Sequence, residues 1–118
     1  MMRLVTKSGN KTLIPHLEVA DTLWTRTKGL LGRESLPAGN ALWILRCNSV
    51  HTFFMNFAID LVFVDRQLVV KKTLSRVKPW SLVLPVWRAT SVIELSEGFL
   101  ENNPIRVGEQ LHVDHTLS

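Results

Sequence analysis

The polar residues able to act together concentrate in one run, Cys47-Asn48-Ser49-Val50-His51-Thr52-Phe53-Phe54-Met55-Asn56-Phe57-Ala58-Ile59-Asp60. A cysteine near a histidine is the pairing of a thiolate nucleophile with its base. In a strand, the four-residue spacing of Cys47 and His51 separates them by roughly 13 Å, whereas a working pair sits at about 3 to 4 Å. Only a sharp turn at Asn48-Ser49 would join them. The plain alternative is a small buried thiol, a common fate of free cysteine, so Cys47 enters as a possible reactive thiol and no more.

His51, Thr52, Met55 and Asp60 make a better group. If Val50 to Phe57 is a strand, His51 and Met55 share one face with Phe53 and Phe57, while Thr52 lies on the other. With an aspartate opening the next strand, such a mixed surface could line a pocket with an apolar floor and a few polar fixing groups. The competing reading is a histidine that bonds Asp60 or a carbonyl and merely satisfies a core. Arg33 could hold a carboxylate through its guanidinium fork, although capping the last carbonyls of a preceding helix is the preferred role. His16, His112 and His115 lie far from His51 with no ligand spacing, so no metal site is assigned. Gly29-Leu30-Leu31-Gly32-Arg33 follows a helix instead of opening one, the wrong end for cradling a phosphate.

The elements that must position these residues come from a chain of 118 residues, 46% apolar and 20% charged, consistent with one packed domain. With a single cysteine, an intrachain disulfide and a multi-thiolate zinc site are ruled out. The opening residues lack the apolar stretch of a signal peptide, and no run approaches the ~18 apolar residues of a membrane span, so the expectation is a soluble, cytoplasmic protein. Six bases, Arg66, Lys71, Lys72, Arg76, Lys78 and Arg88, meet no acid between residues 66 and 93. Five acids then face one base, Arg106, from Glu94 onward, which predicts a tail that folds near the basic stretch or occupies the opposite side. Trp80 and Trp87 lie among those bases and could stack on nucleobases, but no nucleic-acid motif accompanies them, so nucleic acid is disfavoured.

Arg3 to Lys7 and Thr12 to Val19 read as strands joined by a Ser8-Gly9-Asn10-Lys11 turn. Asp21 to Gly32 reads as the main helix, capped by Asp21, with Leu23, Trp24, Leu30 and Leu31 near helical spacing; Trp24 and Trp43 are assigned to the core. Strands follow at Ala41 to Arg46, Val50 to Phe57, Ile59 to Asp65 and Leu68 to Leu74, with Asp65 capping the turn at Arg66-Gln67. Pro79 and Pro85 break Val77 to Trp87 into an irregular segment with room for an edge strand. Thr90 to Ser96 reads as a strand and Ser96 to Glu101 as one or two helical turns closed before Pro104. A last hairpin is expected around Gly108-Glu109. The fold class is α+β, mostly β: a compact barrel-like antiparallel or mixed sheet with one main helix near the N-terminus and a short second helix.

Several of these pieces, in this order, resemble domain-of-unknown-function family 192, a family of small, mostly prokaryotic proteins. The matching blocks are Gly29-Leu30-Leu31-Gly32-Arg33, Cys47 to Met55, Ile59 to Asp65 and Val92-Ile93-Glu94-Leu95-Ser96-Glu97-Gly98, within a resemblance from about Leu13 to Val113. Ala58 departs from it, standing where many relatives have proline. The resemblance implies a single compact β-rich domain spanning residues 1–118 and brings no established activity with it.

The residues therefore lead to a non-enzymatic binding module for a small molecule or peptide near His51, Thr52, Met55 and Asp60, with Arg33 a further candidate. One alternative is a hydrolase or transferase using His51 with Asp60, and Cys47 with them. Another is an interaction protein that docks an acidic partner through the basic stretch 66–88. No complete catalytic set is visible, no cofactor is expected, and the oligomeric state is left open.

Overall fold

A computed structural model describes residues 2–6 and 11–115. In chain order its elements are β1 (Met2–Thr6), β2 (Thr12–Ala20), α1 (Leu23–Lys28), β3 (Asn40–Leu45), β4 (Val50–His51), β5 (Ile59–Val64), β6 (Val70–Val77), β7 (Leu82–Val83), β8 (Ser91–Ser96), α2 (Phe99–Asn102) and β9 (Leu111–His115). Seven strands form one curled sheet in the order β6-β5-β8-β3-β2-β1-β9, and β4 and β7 make a separate two-stranded ribbon. The curl brings the flanks of the two edge strands together at a bridge between Val69 and Gln110, giving a half-barrel. This is the β-rich, barrel-like architecture with two helices expected from the sequence.

Among the described residues only β2 and β3 pair in parallel. A parallel connection needs a crossover, and the segment from Asp21 to Gly39, with α1 and its breaker-rich loop, supplies it. β5 is buried along its whole length, and β8 is buried from Ser91 to Leu95. Strands covered on both faces read as unbroken apolar runs, which is how Ile59-Asp60-Leu61-Val62-Phe63-Val64 reads apart from its aspartate. Alternation along β5 sends Ile59, Leu61 and Phe63 into one core cluster and Val62 and Val64 into another. The first is roofed by the ribbon through Val50, Val83 and Val86; the second contains Phe99 and Leu100 of α2.

Four expectations need correction. α1 runs for only six residues and buries none of them; Leu23 and Trp24 are 78% and 71% exposed, so Trp24 is not core. The cap is Thr22, not Asp21: the Thr22 hydroxyl accepts from the Thr25 amide at 3.1 Å, and the Thr25 hydroxyl accepts from the Thr22 amide at 3.1 Å. The helix stops because Gly29 leaves the helical region at φ +49°. The expected strand Val50 to Phe57 ends at His51, after which Thr52 to Asn56 turn, with Phe54 at φ +65°. No hairpin forms around Gly108-Glu109; β9 pairs with β1 across Met2 to Thr6, and the Gly108-Glu109 turn is stitched to Val70 by two backbone bonds of 2.8 Å.

β1 and β2 pair antiparallel as expected, while the Ser8, Gly9 and Asn10 turn lies outside the described residues. Asp65 caps its turn, its Oδ1 accepting from the amides of Gln67 at 2.9 Å and Val69 at 3.0 Å. The acidic tail folds onto the basic stretch, with Arg76 meeting Glu101 at 2.7 Å and Glu97 at 3.5 Å.

Candidate functional site

The sequence candidates separate into two groups. Thr52 is fully buried, and its hydroxyl donates to the Lys78 carbonyl at 2.6 Å and accepts from the Ser81 amide at 2.9 Å. It clips the irregular segment onto the turn after β4. Asp60 is also fully buried: Oδ1 accepts from the amides of Arg76 at 2.9 Å and Gly98 at 3.3 Å, and Oδ2 from the amide of Leu100 at 2.8 Å. Those bonds satisfy amides at the start of α2, where Gly98 in the left-handed region offers no side chain to do it. Both polar groups are buried and bonded to backbone, and neither lines the cleft that His51 and Met55 share.

His51 and Met55 do line a common cleft, of about 80 Å³, between the α1 turn, β3 and the ribbon. Met55 is buried among the core side chains, and His51 is exposed and lies 5.1 Å from the Phe53 ring. Asp60 is absent from this cleft because it shares its strand face with Val62 and Val64, the opposite side of the sheet. A His51–Asp60 base and orienter, needed by the hydrolase or transferase reading, does not assemble.

Cys47 lines the same cleft, since the chain turns between the end of β3 and β4 as a Cys-His pairing required. The thiol nevertheless donates to the Ser49 carbonyl at 3.0 Å. Burial pushes its pKa above the ordinary 9.0, the Glu94 charge adding to this and the Arg26 charge opposing it. A thiol held protonated in this way is a poor nucleophile near neutral pH, which speaks for the plain buried-thiol alternative. Arg33 neither lines this cleft nor caps the helix. Its guanidinium grips Glu18 of β2 at 2.9 Å, while the α1 carbonyls are already closed by the Gly29 and Leu31 amides at 2.9 Å.

The residue missed from sequence is Glu94. It sits in the middle of β8, opposite Leu42 on one side and Leu61 on the other, and its side chain lines the cleft with His51, Met55, Cys47 and Ile44. It is only 3% exposed, and its Oε1 has no hydrogen-bond partner. Burial raises its pKa to about 7, with the Arg33 charge pulling the other way. Gly29, at φ +49°, lies beside it, a Cβ at that position falling 3.4 Å from Oε1. A signal was present: an acid in the interior of an otherwise apolar strand has to be explained by partners or by function. In the sequence Glu94 stands as an acid of the tail and as a position of the family block, with nothing else local to mark it as a site residue.

A wider, open groove of about 610 Å³ lies at the end of the sheet, between Trp43, Arg46, Asp65, Arg66 and Ser91. Several of its polar groups are occupied: Trp43 Nε1 donates to Ser91 Oγ at 2.9 Å, Arg46 donates to the Asp21 carbonyl, and Asp65 pairs with Lys71 at 3.3 Å. The smaller cleft, by contrast, holds a buried carboxyl with nothing bonded to one oxygen, and a volume far below the ~300 to 1,000 Å³ of a drug-sized site. It suits the end of a molecule. Among the described residues, no three histidine, cysteine or carboxylate side chains gather as metal ligands do.

Comparison with known proteins places this geometry in context. The model of domain-of-unknown-function family 192, described as Uncharacterized ACR, matches residues 4–113. A UPF0127 protein of Thermococcus sibiricus is 30% identical over 115 residues, covering 92% of this chain and 72% of that protein. Two solved structures share the fold. One, a Sinorhizobium meliloti protein provisionally assigned as a transcription regulator, aligns with a TM-score of 0.75 at 19% identity, over 95% of this chain and 91% of that one. The other, a protein of unknown function from Novosphingobium aromaticivorans, aligns at 0.78 and 20% identity, over 94% of this chain and 82% of that one.

Proposed function

The chain belongs to domain-of-unknown-function family 192, and from that premise, which carries a fold and no reaction, we propose a non-enzymatic binding module. Its cleft takes the end of a small molecule or peptide at Glu94, between His51 and Met55. One observation carries this reading: the Glu94 carboxyl is buried with Oε1 unpartnered, facing a cleft. A lone buried carboxyl is costly to keep, by roughly 1 to 3 kcal/mol for the missing bond alone, so it is best understood as awaiting a donor. The matching ligand group is a small N–H donor, above all a protonated amine, which would supply both the hydrogen bond and the opposite charge.

The lining also includes Lys28 and Arg26, the latter donating to the Arg46 carbonyl, so an amine would have to seat on the Glu94 side of the cleft. Leu30, Ile44 and Met55 give buried apolar walls that exclude water, and His51 stands at the exposed side. Thr52 and Asp60 act indirectly, the first holding the turn that carries Met55 and the second anchoring α2 behind the sheet. The Cys47 thiol in the cleft is tied to the Ser49 carbonyl, and the His51–Asp60 pair that turnover would use is not assembled, which supports binding.

The test is a titration of the protein with methylammonium, glycinamide and a short alanine peptide with a free amino terminus, followed by amide shifts in ¹H–¹⁵N spectra at pH 8. Saturable shifts at Gly29, Cys47 and Glu94 are expected, strongly reduced in Glu94→Gln. If none of the three probes produces a saturable shift in the folded protein, the reading fails.

A further inference from the structure

The ribbon of β4 and β7 carries an unusual surface. Register places Val50 opposite Val83, both facing the core, and His51 opposite Leu82, both facing outward. On that ribbon and its flanks Phe54, Trp80, Leu82, Leu84 and Trp87 are 71%, 61%, 61%, 70% and 80% exposed. The rings of Phe54 and Trp80 pack at 4.5 Å, and Phe53 continues the stack at 6.0 Å from Trp80. Exposed large apolar groups gathered on one element mark an interaction site rather than ordinary surface scatter.

Two further observations define the occupant. Phe54, Trp80 and Arg88 all have φ of +65°, a left-handed conformation that bulky residues rarely adopt and that burial does not repay here. The cations Lys78 and Arg88 border the aromatics, Arg88 over the Trp87 ring at 5.8 Å, and neither meets a carboxylate among the described residues. Between residues 66 and 93 there is no acid at all.

We propose that this ribbon docks peripherally on an anionic lipid surface, with Phe54, Trp80, Leu82, Leu84 and Trp87 entering the headgroup boundary and Lys78 and Arg88 facing lipid phosphates. Tryptophan with flanking lysine and arginine is the combination that suits a membrane interface. A second copy of the chain would bring the same positive charge against itself. A peptide adding a strand would find edges of only two residues each, too short to template pairing. No helix of the described residues is long and apolar enough to cross a membrane, and the docking needs none.

The experiment is co-sedimentation of the whole chain with vesicles of phosphatidylcholine alone and of phosphatidylcholine mixed with phosphatidylglycerol, with tryptophan emission read in parallel. Binding and a blue shift are expected on the anionic vesicles only, weakening as salt is added. At about one factor of five per cation, Lys78→Gln with Arg88→Gln should weaken partitioning roughly thirtyfold. Trp80→Ser with Trp87→Ser should abolish the blue shift while leaving the far-ultraviolet spectrum and melting temperature unchanged. No binding to anionic vesicles at low salt overturns the proposal, as does equal binding to neutral ones. Retention on a poly-glutamate peptide without vesicle binding would assign the face to an acidic protein, and concentration-dependent dimerisation abolished by the tryptophan changes would assign it to a second copy; either result overturns it.

Discussion

Asp60 and Glu94 stand on adjacent strands one step out of register, Asp60 opposite Leu95 and Leu61 opposite Glu94, so their carboxyl groups point to opposite faces of one sheet. On one face three backbone amides bond to Asp60, giving both its oxygens a partner, and on the other the Glu94 carboxyl has an oxygen with no partner. Two buried acids of similar sequence context thus have opposite roles. The first anchors α2 to the sheet; the second is the group on which the proposed binding rests.

Replacing Asp60 by Asn should be severe. The amide keeps one acceptor but turns an NH₂ group toward backbone N–H donors, leaving at least one of the Arg76, Gly98 and Leu100 amides unmatched in the interior. A loss of roughly 3 kcal/mol is expected, read as a shift in the urea midpoint. An unperturbed midpoint would mean that these amides find other partners.

Glu94→Gln tests the buried acid through pH. With a folded pKa of about 7 against an ordinary 4.5, the native state holds a proton between those values that the unfolded chain has released. Stability is therefore fully present below about pH 4.5 and declines as pH rises to about 7, by on the order of 3 kcal/mol in all. The glutamine variant has no such proton and should show a flatter profile from pH 5 to pH 8, overtaking the parent at the alkaline end. Parallel profiles for the two proteins would show that Glu94 does not titrate in this range.

How much of this was legible in the sequence depends on the range of the forces involved. β5, β8 and the Asp65 turn could be read because apolar density and an aspartate beside its own turn amides act within a few residues. α1 misled because Leu23 and Trp24 are spaced as a core stripe while nothing packs over them; periodicity records a side chain's hydropathy and not the presence of a neighbour. The site divided in the same way. His51, Met55 and Cys47 reach one cleft because the turn after β3 is local, whereas the separation of Asp60 from them follows from strand parity across the sheet. Glu94 becomes visible only when its neighbours Leu42 and Leu61, far off in sequence, are known to flank it.

Cys47 offers a probe of the same cleft. Because burial holds its pKa above 9.0, alkylation by iodoacetamide should be slow at pH 7 and should climb steadily beyond pH 9. The Glu94 charge adds to that elevation, so Glu94→Gln should shift the rate profile toward lower pH. A rate already at its plateau at pH 7 would restore the nucleophile reading.

Thr52 separates a supporting role from a ligand-binding one. Thr52→Val keeps the shape but removes the hydroxyl that serves the Lys78 carbonyl and the Ser81 amide, while the backbone bonds Thr52 N–H to Ser81 C=O and Trp80 N–H to Thr52 C=O, both 2.9 Å, survive. Stability should fall by roughly 1 kcal/mol, since two part-buried backbone groups lose their partner. Thr52→Ser, which retains the hydroxyl, should recover most of it. Amide exchange should quicken at Ser81, beside the lost bond, and stay slow along β8, where strand pairing is untouched. If Thr52→Val matched the parent in stability and in Ser81 exchange but no longer bound a cleft ligand, the hydroxyl would belong to the binding site and the clip would be incidental.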